Sequence, residues 1–232
     1  MAKDHLKRYA TPKTWDIKKK GIVFITRPKP GAHPMSISVP LSVVLKNMLK
    51  CAKTTNEVKK ILHNNEVLVD GKRVKEHRVP VGLMDVVHLA LTKQDFRIIF
   101  DEKGKLKAIG IDSKEGKLKI SKITGKTPTK GGKLQINLAD SRNIIVDKAD
   151  YKVGDSLLIE LPSQKIVDHF KLDKGAYVLL TAGKHASSRG VVEGTEKSSI
   201  TYKSDYGSTR KTLKKYALVI GKGKPAFKIS EK

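Results

Sequence analysis

The 232-residue chain has one cysteine, Cys51, one tryptophan, Trp15, and an aromatic fraction of only 5%. A single cysteine excludes an intramolecular disulfide and a thiolate cluster. Cys51 falls within an apolar helical pattern, which predicts a buried small hydrophobe. So few aromatic rings argue against a single-strand binder built on stacking platforms, although Trp15, Tyr9 and Tyr177 could each stack on a base. Acidic residues are scarce too, and Asp70, Asp101, Asp112, Asp140 and Asp155 flank turns, the usual place for a structural aspartate. No stretch approaches the roughly 20 apolar residues of a membrane span. No apolar run follows the charged N-terminus, so a soluble, cytoplasmic protein without membrane contacts is expected.

Chemistry is equally thin. The histidines, His5, His33, His63, His77, His88, His169 and His185, do not fall at metal-ligand spacing. Residues 125–133, GKTPTKGGK, lack the spacing of a phosphate-binding loop and read as a basic surface loop, and the Gly-x-Gly at 221–223 lacks its third glycine. There is no nucleophile elbow. No enzyme, metal, cofactor or small-molecule substrate is expected.

What the chain has is positive charge. Lys and Arg number 48 against 23 Asp and Glu, giving a net charge of +25. A surface of this kind repels itself and releases counterions when it meets phosphates, so nucleic acid is the expected partner. Residues 1–33 carry nine basic against two acidic residues, and residues 197–232 carry ten against two, so both ends are expected to touch the polyanion.

Residues 1–40 alternate basic and apolar residues among Pro12, Pro28, Pro30 and Pro34, which forbid long helices and predict an extended arm. Trp15, Ile22, Val23, Phe24 and Ile25 are too apolar for a solvated tail, so the arm should pack on the body or on a partner. From residue 41 the period becomes helical: Leu41, Val44, Leu45, Met48 and Cys51 or Ala52 form one face, with Lys46, Lys50 and Lys53 on another. A second helix opens on the capping-box pattern Thr54 to Glu57, burying Val58, Ile61 and Leu62 and exposing Lys59, Lys60 and His63. Val67, Leu68 and Val69 then run into Asp70-Gly71, a hairpin turn signal, followed by Lys72 and Arg73.

This order of helix, helix, VLVDGKRV, a Pro/Gly turn and MDVVHL resembles the S-four-like RNA-binding domain, here residues 41–91. The resemblance implies an RNA face built from Lys46, Asn47, Lys50, Lys53, Lys59, Lys72 and Arg73. Lysines so placed make point contacts to phosphate and suit recognition of RNA shape.

Residues 92–172 read as a β-rich central domain, with strands at 96–100, 106–111, 118–123, 134–138, 143–146, 156–160 and 166–170 and a brief helical turn at 113–115. Residues 173–213 follow, and GAYVLLTAGKHASSRGVV within them resembles a KOW motif, which implies a small SH3-like barrel. Ser187 stands where family members usually have a glycine. The contact candidates here are Lys184, His185, Arg189, Arg210 and Lys211. Residues 214–232 read as a basic tail.

From end to end the chain resembles the small-subunit ribosomal protein S-four-e family of archaea and eukaryotes, on His5-Leu6-Lys7-Arg8, Thr11-Pro12-Lys13 and Trp15 at the start and IGKGKP at 220–225. The family implies a multidomain α+β structural protein of the small ribosomal subunit. It would bind ribosomal RNA through all three domains and both termini, beside neighbouring ribosomal proteins. On the arm the contacts would include His5, Lys7, Arg8, Lys13, Trp15, Lys18, Lys19, Lys20 and Arg27. Two other readings are an RNA-modifying enzyme, such as a pseudouridine synthase, docking through the S-four-like module, and a free KOW-containing transcription or translation factor.

Overall fold

The computed structural model describes residues 4–129, 131–147 and 150–229. Strands dominate, and the chain divides into two compact units, residues 1–117 and 118–232.

In the first unit the arm folds back on itself, β1 (Leu6–Lys7) pairing antiparallel with β2 (Phe24–Ile25). It packs on the body through Leu6 and Trp15, both buried, whereas Ile22, Val23 and Phe24 stay exposed. Next come β3 (Ser38–Pro40), a helical segment begun by α1 (Leu41–Val43), and α2 (Thr55–Asn64). They are followed by β4 (Val67–Val69), β5 (Lys72–Arg73), β6 (Pro80–Gly82), β7 (Val86–Leu89), β8 (Gln94–Phe100), β9 (Leu106–Ile111) and α3 (Ser113–Gly116). β3 pairs with β6, and the main sheet has the order β5-β4-β7-β8-β9. The β8–β9 hairpin therefore continues the sheet that the hairpin at Asp70 begins. A boundary expected after residue 91 falls inside this sheet, because Val86 to Leu89 pair directly with Gln94 to Arg97 across a short turn.

The helix expected from residue 41 does not run regularly to residue 52. After α1 the backbone widens to a π turn over Val44–Met48: the Leu49 amide donates to Val44 and the Cys51 amide to Leu45, both at 2.9 Å. Lys50 sits at φ 55. A wide turn adds a residue to the repeat, so the buried face shifts. Ala52 is buried instead, and Cys51, expected inside, is exposed.

The second unit comprises β10 (Leu118–Pro128), β11 (Leu134–Leu138), β12 (Asn143–Val146), β13 (Ser156–Glu160) and β14 (Ile166–Phe170) in one sheet, of order β12-β11-β10-β13-β14. β15 (Ala176–Leu180), β16 (Arg189–Thr195), β17 (Ser199–Ser204), β18 (Thr209–Leu213) and β19 (Ala217–Lys222) form another, of order β18-β17-β16-β15-β19. β10 is longer than the strand expected at 118–123. A bulge between Ile123 and Gly125 lets it leave β13 and continue against β11, so residues 125–128 of the expected basic loop at 125–133 are strand. Ile123, Ile136, Leu138, Leu157 and Ile159 form the core beneath these strands.

Candidate nucleic-acid interface

The most regular basic surface is built on α2 and the hairpin that follows it. Thr54 caps α2 as its sequence predicts: the Glu57 amide donates to Thr54 Oγ1 at 3.2 Å and the Thr54 amide to Glu57 Oε2 at 3.4 Å. Val58 and Leu62 are buried, which turns Lys59 outward. Asn47, Lys50 and Lys53 are exposed before it, while Lys46 is half-buried and donates from Nζ to Thr55 Oγ1 at 3.2 Å. At the turn, Asp70 and Gly71 adopt φ 52 and 75, the geometry that Asp-Gly favours. The Asp70 carboxylate accepts the Val86 amide at 3.0 Å, fixing this turn against β7. Lys72 and Arg73 are exposed on β5, the sheet's edge strand.

On the arm, His5, Lys7, Lys13, Lys18 and Lys20 are exposed. Arg8 donates from Nη1 to the Lys18 carbonyl at 2.9 Å. Lys19 is turned inward, its ammonium donating to Thr11 Oγ1 at 2.6 Å and to the carbonyls of Thr11 and Arg8 at 3.1 and 3.3 Å. Half-buried Arg27 offers its carbonyl to Arg78 Nε at 3.1 Å. Trp15, expected at the RNA face, is a core residue instead: it is 2% exposed, and its indole N–H donates to Ser38 O at 2.8 Å. The reason is a contact distant in sequence, since Trp15 bridges to Leu106 and the Leu106 amide donates to Thr14 O at 2.7 Å.

That packing opens a cleft of about 490 Å³ lined by Arg8, Asp16, Ile17, Lys18, Asn47 and Lys105. Lys105 escaped the sequence reading; it pairs with Asp16 at 2.7 Å. Its only signal was its place in a basic tight turn.

In the second unit the candidates are more entangled. Lys184 is exposed. Arg210 Nη1 lies 3.0 Å from His185 Nδ1, and because a guanidinium only donates, Nδ1 accepts and the imidazole proton sits on Nε2. Lys211 pairs with Glu196 at 2.6 Å, and Arg189 donates to the Ile229 carbonyl at 2.9 Å. Tyr177 is buried, not open for stacking; its hydroxyl donates to Asp205 at 2.6 Å, and burial together with that carboxylate pushes its pKa upward. Ser187, standing where a glycine was expected, takes φ 74, a left-handed conformation that glycine adopts more easily. At Gly190 a Cβ would meet Lys203 O at 2.0 Å, so the crossing of β16 and β17 admits no side chain there.

Comparison with known proteins gives a consistent picture. The family model described as "Ribosomal family S4e" matches residues 92–166, and the RS4NT domain matches residues 2–36. The small ribosomal subunit protein eS4 of Methanosphaera stadtmanae is 42% identical over 98% of this chain and 96% of its own length. The protein of the same name from Methanocaldococcus jannaschii is 40% identical over 98% of both chains. The crystal structure of the 30S ribosomal protein S4e from Thermoplasma acidophilum superposes with a TM-score of 0.69 at 28% identity, covering 80% of this chain and 95% of that one. With identity of this level sustained over nearly the whole length, the chain belongs to the ribosomal protein S4e family.

Proposed function

We propose that this chain, like the relatives named small ribosomal subunit protein eS4, is a structural constituent of the small ribosomal subunit, binds its ribosomal RNA and catalyses no reaction. The observation that carries this reading is the likeness over 98% of the chain, which takes in both basic ends and everything between. In this reading residues 41–91 act as an S-four-like docking module. The exposed Lys50, Lys53, Lys59, Lys72 and Arg73 make phosphate contacts, and Asn47 contributes with Arg8 and Lys18 at the cleft. Residues 173–213 act as a KOW module that presents Lys184 and the Nε2–H of His185. The left-handed Ser187 and the close approach at Gly190 support that assignment. Neighbouring ribosomal proteins flank it, in the cytoplasm.

Sucrose-gradient fractionation tests the assignment. The protein is expected to stay with small subunits at near-unit stoichiometry after a moderate salt wash. Recovery at the top of the gradient would overturn it.

A further inference from the structure

We propose that the outer face of the arm ladder is a docking site for an unpaired RNA base, with Phe24 as the stacking surface. This inference rests on the RNA-binding reading above and adds to it a site and a ligand chemistry. In the β1–β2 ladder Leu6 faces Ile25 and Lys7 faces Phe24. Side chains alternate along a strand, and Leu6 is buried, so Lys7 and Phe24 share the outward face. His5, two residues before Lys7, joins them: its ring lies 5.5 Å from that of Phe24, inclined at 50°. The Arg8 amide donates to the Val23 carbonyl at 2.9 Å, which carries the ladder one step further.

Aromatic rings are rare in this chain, and half of them are consumed by its cores. Trp15, Phe100, Tyr177 and Tyr202 are buried, whereas Phe24 is 51% and Tyr9 78% exposed, with Ile22 and Val23 beside Phe24 exposed as well. Two of the three exposed large aromatics among the described residues therefore lie on a short arm.

Charge decides the occupant. Between residues 4 and 25 the exposed cations are Lys7, Lys13, Lys18 and Lys20, against Asp4 and Asp16, and Asp4 is paired to Arg78 at 2.8 Å and Asp16 to Lys105 at 2.7 Å. An apolar protein surface would gain nothing from Lys7 beside Phe24 and the net positive charge of this segment. A nucleotide presents a flat π face for Phe24 and phosphates on either side for Lys7 and its neighbours, and stacking of this kind is indifferent to base identity. The site therefore takes a base splayed out of a loop, bulge or end, since bases within a helix offer no free face.

The test measures binding of the full-length protein to small-subunit ribosomal RNA of Methanosphaera stadtmanae, transcribed in vitro, across a salt series. Phe24→Ala is expected to weaken binding about tenfold, within the range for loss of one stacked base. Its salt slope should stay at the wild-type value, because no phosphate contact is removed. Phe24→Leu should lose nearly as much as Phe24→Ala. Phe24→Trp should bind like wild type, with its added indole emission quenched by the RNA while Trp15 stays buried. Wild-type affinity in Phe24→Ala or Phe24→Leu would overturn the proposal. So would normal RNA affinity combined with poor retention of Phe24→Ala in assembled subunits, which would give the face to a protein neighbour. If the wild type binds this RNA no better than an unrelated RNA of equal length, the RNA-binding reading itself fails, and the base site with it.

Discussion

In the first unit the basic side chains on α2, the turn before it, β5 and the arm are largely turned outward, with Lys50, Lys53, Lys59, Lys72 and Arg73 all exposed. The second unit uses many of its cations inside the fold. Lys119 is 1% exposed and pairs with Asp140 at 3.1 Å, while Ser121 donates to the other oxygen of that carboxylate at 3.0 Å. Lys122 donates to the carbonyls of Lys214, Lys215 and Ala217 at 2.8, 3.0 and 2.7 Å, and burial lowers its pKa to about 8. Arg189, Arg210 and Lys211 all reach groups of their own unit. A lysine count therefore measures two things at once: charge offered to a polyanion, and charge that satisfies carbonyls and carboxylates between sheets. The difference lies in architecture. A helix has one face to bury and leaves the other to solvent. Two sheets joined through β10, β13, β14 and β19 enclose polar backbone at their margins, and long basic side chains reach it.

The largest expected effect strikes the internal charge of the second unit. Asp140→Ala leaves Lys119 buried without its carboxylate and should destabilise the protein by about 3–5 kcal/mol in urea denaturation. Lys50→Ala, on an exposed turn, should stay within about 0.5 kcal/mol. Equal losses would erase the contrast between the units.

The pH dependence should come next. A hydrogen bond from Lys29 holds the Glu76 carboxyl below the usual carboxylate range, one from Arg78 does so for Asp4, and the backbone amide of Lys53 does so for Glu57. The unfolded chain takes up these protons at higher pH than the folded one. The stability they contribute is thus complete above the unfolded pKa, near 4–4.5, and is lost as pH falls through the lower folded values. The urea midpoint reported by Trp15 emission should drop below about pH 4.5. Glu76→Gln should make that drop shallower, and an unchanged profile would remove the Lys29–Glu76 pair from the account.

The smallest effect concerns Cys51. Because the π turn places it outside, it should react with a thiol reagent in the folded protein, at a rate little changed by mild urea. Reaction only on unfolding would restore the regular helix expected from the sequence.

Local signals were the most legible. The capping box at Thr54, the Asp70-Gly71 turn and the strands Leu134–Leu138, Asn143–Val146, Ser156–Glu160 and Ile166–Phe170 each follow from a few adjacent residues, and each is present. What escaped depends on partners far along the chain. Arg97, in a strand that reads as alternating, is 1% exposed because its guanidinium bonds Glu115 in α3, at 3.2 Å to the carboxylate and 2.8 Å to the carbonyl. Trp15 is buried by Leu106, a neighbour that arm composition does not announce. Lys119 and Lys122 look like any surface lysines until β10 is seen pairing with both β11 and β13. For the candidate interface, the sequence named the basic segments, and only the fold sorted outward cations from inward ones.

The central claim is that outward cations of the first unit bind RNA phosphates. It is tested most directly by the salt dependence of binding to small-subunit ribosomal RNA. Changing the outward Lys50, Lys53 and Lys59 together to Ala should weaken binding and lower the slope of log K against log salt by about 2–3, close to 0.7–0.9 for each phosphate that is no longer neutralised. A slope equal to that of the wild type would contradict the claim and remove this stripe from the RNA surface.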